Sequence, residues 1–87
     1  MDVVISEKQE EKIKSTIIEI VEDIEVPLAI KVDVVIEKGK IFVLVLLKNY
    51  LMTKVKTKYQ LLIHNKIKNY LGLDVSAILL EEWTIDS

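Results

Sequence analysis

The stretch LAIKVDVVIEKGKIFVLVLLK, residues 28–48, decides the fold. Every second residue from Leu28 to Ile36 is apolar, and two of the four residues between them, Lys31 and Asp33, are charged, which is the pattern of a strand with one solvent-exposed side. Lys38-Gly39 then supplies a tight turn, because glycine readily adopts the positive φ that two-residue hairpin loops require. Residues 40–48 form the return strand, and both of its faces are apolar. Such a strand either has both faces covered by other parts of the protein or carries a contact surface on one of them.

The turn also fixes the register of this hairpin. We expect four apolar pairs on one face: Ile36 with Ile41, Val34 with Val43, Val32 with Val45 and Ile30 with Leu47. The other face of the return strand carries Phe42, Leu44 and Leu46, with Val35 beside them on the first strand. Because no remaining element would cover that face, we predict that these four residues form an interaction surface.

Helical periodicity flanks the hairpin on both sides. Ser6 and Gln9 fit a capping box, and an apolar face follows on residues 13–24 before Pro27 ends the segment. Residues 53–71 read as a second helix, and Gly72 suits its left-handed C-cap. The apolar stripe of the second helix is predicted to contain Val55, Tyr59, Leu62, Ile63, Ile67 and Tyr70.

A third strand is predicted from Leu73 to Trp83, with Ile78 and Leu80 facing the core. The order is then α-β-β-α-β, an α+β fold in which two helices cover one face of a three-stranded mixed sheet. The helical crossover makes the third strand parallel to the second. Residues 1–87 contain no linker or internal repeat, so we expect a single domain.

Composition narrows the functional classes. The chain has no cysteine, which excludes disulfides, thiolate metal sites and cysteine nucleophiles, and we expect a cytoplasmic protein. The longest apolar run is short compared with the roughly 20 residues of a membrane span, so we expect no direct membrane insertion. Only Gly39 and Gly72 are present, so no glycine-rich phosphate loop can form.

The lysines of the second helix are the main charged feature. Residues 48–70 carry only basic charges, whereas residues 1–25 and 71–87 are acidic. Lys54, Lys58 and Lys68 share the wet side of the helix and form a candidate polyanion patch. The absence of arginine and the net charge of −2 favour a solvated helix face instead, so we expect no nucleic-acid partner.

Catalytic side chains are scarce. His64 is the single histidine, and no acid lies within nine residues of it, so we interpret it as a solvated helix residue. Lys66 projects into the apolar stripe of the second helix, where we expect its stem to pack and its amine to reach water or an acid. We therefore predict no catalytic, metal-binding or cofactor-binding residues and no enzymatic activity.

Four segments carry a resemblance to a known family. They are Val55-x-x-x-Tyr59-Gln60-x-x-Ile63, Leu71-Gly72-Leu73-Asp74-Val75, the alternating Ile78 and Leu80, and Val4-Ile5-Ser6. With them the chain resembles a divergent member of the alkaline shock protein family of Gram-positive bacteria, whose proteins act in the envelope stress response. The resemblance spans roughly residues 4–82 and implies the same α-β-β-α-β order, with no catalytic residues and no cofactor. It also implies a cytoplasmic protein that self-associates and can be held at the membrane by a separate anchor protein.

Three function hypotheses follow. The first is a non-enzymatic interaction module that forms homo-oligomers through the open sheet face. The second is a KH-like RNA-binding module, which shares the element order and would use the lysine-rich second helix, although the glycine-containing clamp loop of that class is missing. The third is a small enzyme built on Lys66 or His64, for which the sequence offers no acid partner.

Overall fold

The computed structural model describes residues 7–83 and confirms the predicted α+β fold. Its elements are α1 (Glu7–Ile24), β1 (Ala29–Glu37), β2 (Lys40–Leu47), α2 (Thr53–Leu71) and β3 (Ala77–Glu82). The sheet order is β1-β2-β3, with β2 antiparallel to β1 and parallel to β3. The predicted capping residue Ser6 lies outside the described residues.

The hairpin turn forms as predicted. Lys38 and Gly39 have φ angles of 51° and 76°, so both loop residues are left-handed, as a type I′ turn requires. The turn sets the predicted register for three of the four apolar pairs: Ile36 with Ile41, Val34 with Val43 and Val32 with Val45.

The fourth pair was predicted wrongly. Leu47 pairs with Ala29 and Leu46 with Lys31, so Ile30 is an extra residue in β1 and the register shifts there. A bulge of this kind leaves its extra residue unpaired and reverses the alternation beyond it. The Ile30 side chain is consequently 50% exposed instead of lying in the core.

One apolar core lies between the helices and one face of the sheet. Ile17 and Val21 of α1 meet Ile63 and Ile67 of α2, and all four are fully or almost fully buried. The sheet contributes Val34, Ile41, Val43, Val45, Leu47 and Leu80. Because α1 contacts β1, α2 contacts β3 and the two helices contact each other, the helices form a single layer over this face.

The apolar stripe of α2 is narrower than predicted. Leu62 is 39% exposed and Tyr70 is 74% exposed, so neither belongs to the core. Leu62 lies about 100° around the helix from the buried Ile63, beyond the surface that meets the sheet. Tyr70 lies in the last turn, in the open groove between α2 and α1.

The connection from α2 to β3 explains why β3 starts later than predicted. Gly72 takes a φ of 68°, and its N–H donates to the Lys68 carbonyl at 2.8 Å, which ends the helix as expected. The chain then crosses to the sheet as coil, and Val75 is buried on the way. Pairing with β2 begins when the Ser76 N–H donates to the Ile41 carbonyl at 2.8 Å.

Candidate interaction surface

The outer face, the side of the sheet turned away from the helices, contains the four residues of the predicted surface. Burial alternates along β2, and Phe42, Leu44 and Leu46 are half-buried on this side. Val35 of β1 and Leu79 of β3 flank them and are 48% and 47% exposed. Apolar side chains from all three strands therefore reach solvent together.

The register of the sheet orders the outer face into four rows. Counted from the hairpin turn, they are Glu37–Lys40, Val35–Phe42–Ala77, Asp33–Leu44–Leu79 and Lys31–Leu46–Glu81. The two middle rows are apolar except for Asp33, and each end row carries one acid and one base. The outer face is thus an apolar centre with a charged end on either side.

Leu79 and Ala77 belong to this surface although they were not among the predicted residues. The signal for them was present, because Ile78 and Leu80 were expected to face the core and strand neighbours point to opposite sides. What the sequence did not provide was their position along β2, which depends on the length of the coil before β3.

Both edges of the sheet carry features that oppose strand addition. On β3, the Gln60 side chain donates from Nε2 to the Ile78 carbonyl at 2.8 Å. On β1, the Val34 N–H donates to Oδ1 of Asp33 at 3.0 Å, and the bulge at Ile30 distorts the strand. Occupied backbone groups, bulges and charged side chains are the usual protections of edge strands. The face, more than the edges, is available for contact.

The three lysines of the candidate polyanion patch are exposed, as expected, but they do not act alike. Lys68 Nζ lies 2.9 Å from Oδ1 of Asp74, with which it forms an exposed ion pair. Lys58 Nζ lies 5.8 Å from the ring centroid of Tyr59, within cation–π range. Lys54 lies one turn N-terminal to Lys58 and is exposed. The arrangement favours a solvated helix face over a converging anion site.

Lys56, on the flank of α2, forms the contact between α2 and the end of β3. Its Nζ lies 2.6 Å from Oε1 of Glu82, and both side chains are largely shielded from solvent. The hydrogen bond from Lys56 lowers the pKa of the Glu82 carboxyl below its ordinary value of 4.5. The same ammonium group lies 5.8 Å from the ring centroid of Tyr50.

His64 and Lys66 lie on different sides of α2. His64 is half-buried next to β3, where it lines a shallow depression with Ala77 and Ile78, so it is less exposed to solvent than predicted. Lys66 is exposed in the open groove between the helices, about 820 Å³ in volume, opposite acidic residues of α1 such as Glu22. Within residues 7–83 no group of three histidine or acidic side chains is arranged to hold a metal ion.

Comparisons with known proteins return no match: no family model fits the chain, and no curated protein or solved structure is significantly similar to it. The resemblance to the alkaline shock protein family stays a prediction from the residues quoted above. In the described part of the chain, neither helix has the length and apolar character needed to cross a membrane.

Proposed function

We propose that this chain is a non-enzymatic interaction module that self-associates through its outer face. The observation that carries the proposal is the continuous apolar centre of that face, from Val35 through Phe42 and Leu44 to Leu79. Removing one contiguous patch of exposed apolar surface from water lowers the free energy, so a partner that covers the patch is bound favourably. A second copy of the chain supplies a matching apolar patch.

The size of the outer face sets the expected affinity. Three strands about 4.8 Å apart, each with six residues rising about 3.3 Å, give a flat area of about 300 Å². A standard protein interface buries about 800 Å² on each partner. Self-association through this face alone is therefore weak, with a Kd of about micromolar or higher.

The proposal extends to the cellular role that the family resemblance implies. The chain would act as an envelope-stress-type protein in the cytoplasm, with an anchor protein holding it at the membrane. A weak interface fits such a role, because an anchor that gathers copies raises their effective concentration and promotes contacts that dilute protein does not make.

The self-association is tested by sedimentation velocity between about 1 µM and about 1 mM, a range that covers micromolar and weaker values of the Kd. We expect the weight-average mass of the wild type to rise with concentration. Val35→Asp and Leu79→Asp, at positions that are 48% and 47% exposed, should keep the protein monomeric because each puts a carboxylate into the apolar contact.

The matched control is Leu61→Asp, which alters an apolar residue that is 59% exposed on α2 and lies outside the outer face. It should associate like the wild type. Phe42→Asp is a further variant at the half-buried centre, to be interpreted only when its circular dichroism spectrum is native. A wild type that stays monomeric across the whole concentration range would contradict the proposal.

A further inference from the structure

The charges at the ends of the outer face are complementary to each other, and the inference drawn from them rests on the self-association proposed above. One end carries Lys31 and Glu81 on either side of Leu46, and the other carries Glu37 paired with Lys40. Lys31 and Glu37 are both on β1, about 20 Å apart along the strand. The outer face therefore has a base and an acid at each end.

A closed dimer formed by two copies of one face has a two-fold axis. That axis can run along β2 or across it. An axis along β2 places each row on the same row of the second copy. Lys40 then lies on Lys40 of the second copy, and Glu37 has no base directly opposite it. Lys31 and Glu81 face each other in this arrangement, so only one end of the face is matched.

An axis across β2 reverses the order of the rows. Glu37 then lies opposite Lys31 of the second copy, and Lys40 lies beside Glu81. Both ends of the face are matched, and each contact occurs twice by symmetry. In the middle, Phe42 meets Leu44 of the second copy and Ala77 meets Leu79, while Val35 lies opposite Asp33, so the apolar centres coincide except at that carboxylate.

We propose that the chain forms a closed homodimer by stacking outer faces with the two β2 strands antiparallel. The apolar centre provides the attraction, and the end charges select the orientation, because like charges facing each other across an interface are unfavourable. Face-to-face sheets accommodate such an arrangement with strands crossing at about 30°. The contact is the same on both copies, so it closes at two chains.

Charge reversal tests the orientation. Lys31→Glu should weaken the dimer about tenfold, because it sets two like-charged contacts against Glu37 of the other copy. The double variant Lys31→Glu with Glu37→Lys should return the Kd to near the wild-type value, since the opposite charges face each other again. The double variant Lys31→Glu with Glu81→Lys should still dimerise weakly, because both new charges then lie next to like charges of the second copy.

The outcomes separate this inference from the proposal on which it rests. If the Glu81→Lys double variant restores the dimer and the Glu37→Lys double variant does not, the strands are parallel and the antiparallel dimer is overturned while self-association stands. If Leu79→Asp disrupts the dimer but no charge reversal changes the Kd, the selected orientation is overturned. A wild type that stays monomeric would contradict both self-association and the antiparallel dimer.

Zero-length carbodiimide coupling of lysine to carboxylate gives a second readout without substitutions. A mixture of isotopically labelled and unlabelled wild-type protein identifies links between copies by mass spectrometry. The antiparallel dimer should yield intermolecular Lys31–Glu37 links. Intermolecular Lys31–Glu81 links in their place would overturn it.

Discussion

At the scale of single residues, the contact between Lys56 and Glu82 has the clearest electrostatic consequence. It joins α2 to the C-terminal end of β3 at 2.6 Å, with both side chains shielded from much of the solvent. The hydrogen bond from Lys56 holds the pKa of Glu82 below 4.5, so the folded state prefers the ionised carboxylate. Folding and ionisation of Glu82 are therefore linked.

This linkage predicts a pH dependence of the free energy of unfolding. The pKa of Glu82 is lower in the folded state than in the unfolded state. The contribution of this carboxylate to the free energy of unfolding is therefore fully present above its unfolded pKa of 4.5, and it is lost as the pH falls through the folded pKa. Lys56→Met keeps the packed stem and removes the charge. Urea unfolding of both proteins from about pH 7 to about pH 3 should show a stability difference that shrinks below the unfolded pKa.

Lys68→Met is the control, because its ion pair with Asp74 is more exposed, with the two side chains 49% and 73% accessible. Exposed pairs contribute little, so this variant should follow the wild type closely across the pH range. If the free energy of unfolding of Lys56→Met differed from that of the wild type by the same amount from neutral to acid pH, the linkage would be contradicted.

At the scale of elements, the C-terminal end of α2 depends on a conformation that glycine adopts readily. Gly72 has a φ of 68°, and its surroundings leave space for a side chain, since nothing lies within 4 Å of an added Cβ. The cost of a substitution there is therefore conformational and not steric. The sequence predicted this cap correctly from the position of glycine after the last helical turn.

Gly72→Ala should lower the free energy of unfolding by about 1 kcal/mol, because alanine disfavours positive φ. Asn69→Ala, at an exposed position within α2, is the matched control and should leave stability unchanged or slightly higher. Chemical denaturation of the three proteins measures the differences. Equal stability of the Gly72→Ala protein and the wild type would show that the cap is not strained.

At the scale of the whole molecule, the two faces of the sheet have different roles. The inner face meets both helices and forms the core, where Ile63, Ile67, Val45 and Leu47 are completely buried. The outer face is equally apolar along β2, but the neighbouring residues on β1 and β3 remain exposed to solvent. Stability thus depends on the inner face, and association is proposed for the outer one.

Ile67→Ala should lower the free energy of unfolding by about 2–5 kcal/mol, since it opens a cavity between α2 and the sheet. Leu61→Ala removes an aliphatic group from the same helix at a position 59% exposed and should cost less than about 0.5 kcal/mol. Thermal and denaturant unfolding would measure both. Similar losses for the two variants would contradict the placement of the core on this side of α2.

The local pattern of the sequence determined much of this protein. Period-two alternation predicted β1, the apolar run after the turn predicted β2, and Lys38-Gly39 predicted the turn that fixes three pairs of the register. Helical periodicity and Gly72 predicted the bounds of α2, and the crossover predicted a parallel third strand. These features follow from interactions within one element or between adjacent ones, which is why a single sequence suffices.

Tertiary structure alone decided the remaining features. The bulge at Ile30, the position of the half-buried His64 beside β3 and the position of Leu79 along β2 all depend on how distant segments meet. Alternation along a strand states which residues share a side, but it does not state which residue of a neighbouring strand lies opposite. The row order that sets a base and an acid at each end of the outer face is a property of the assembled sheet, because it requires the β1–β2 register and the β2–β3 register at once.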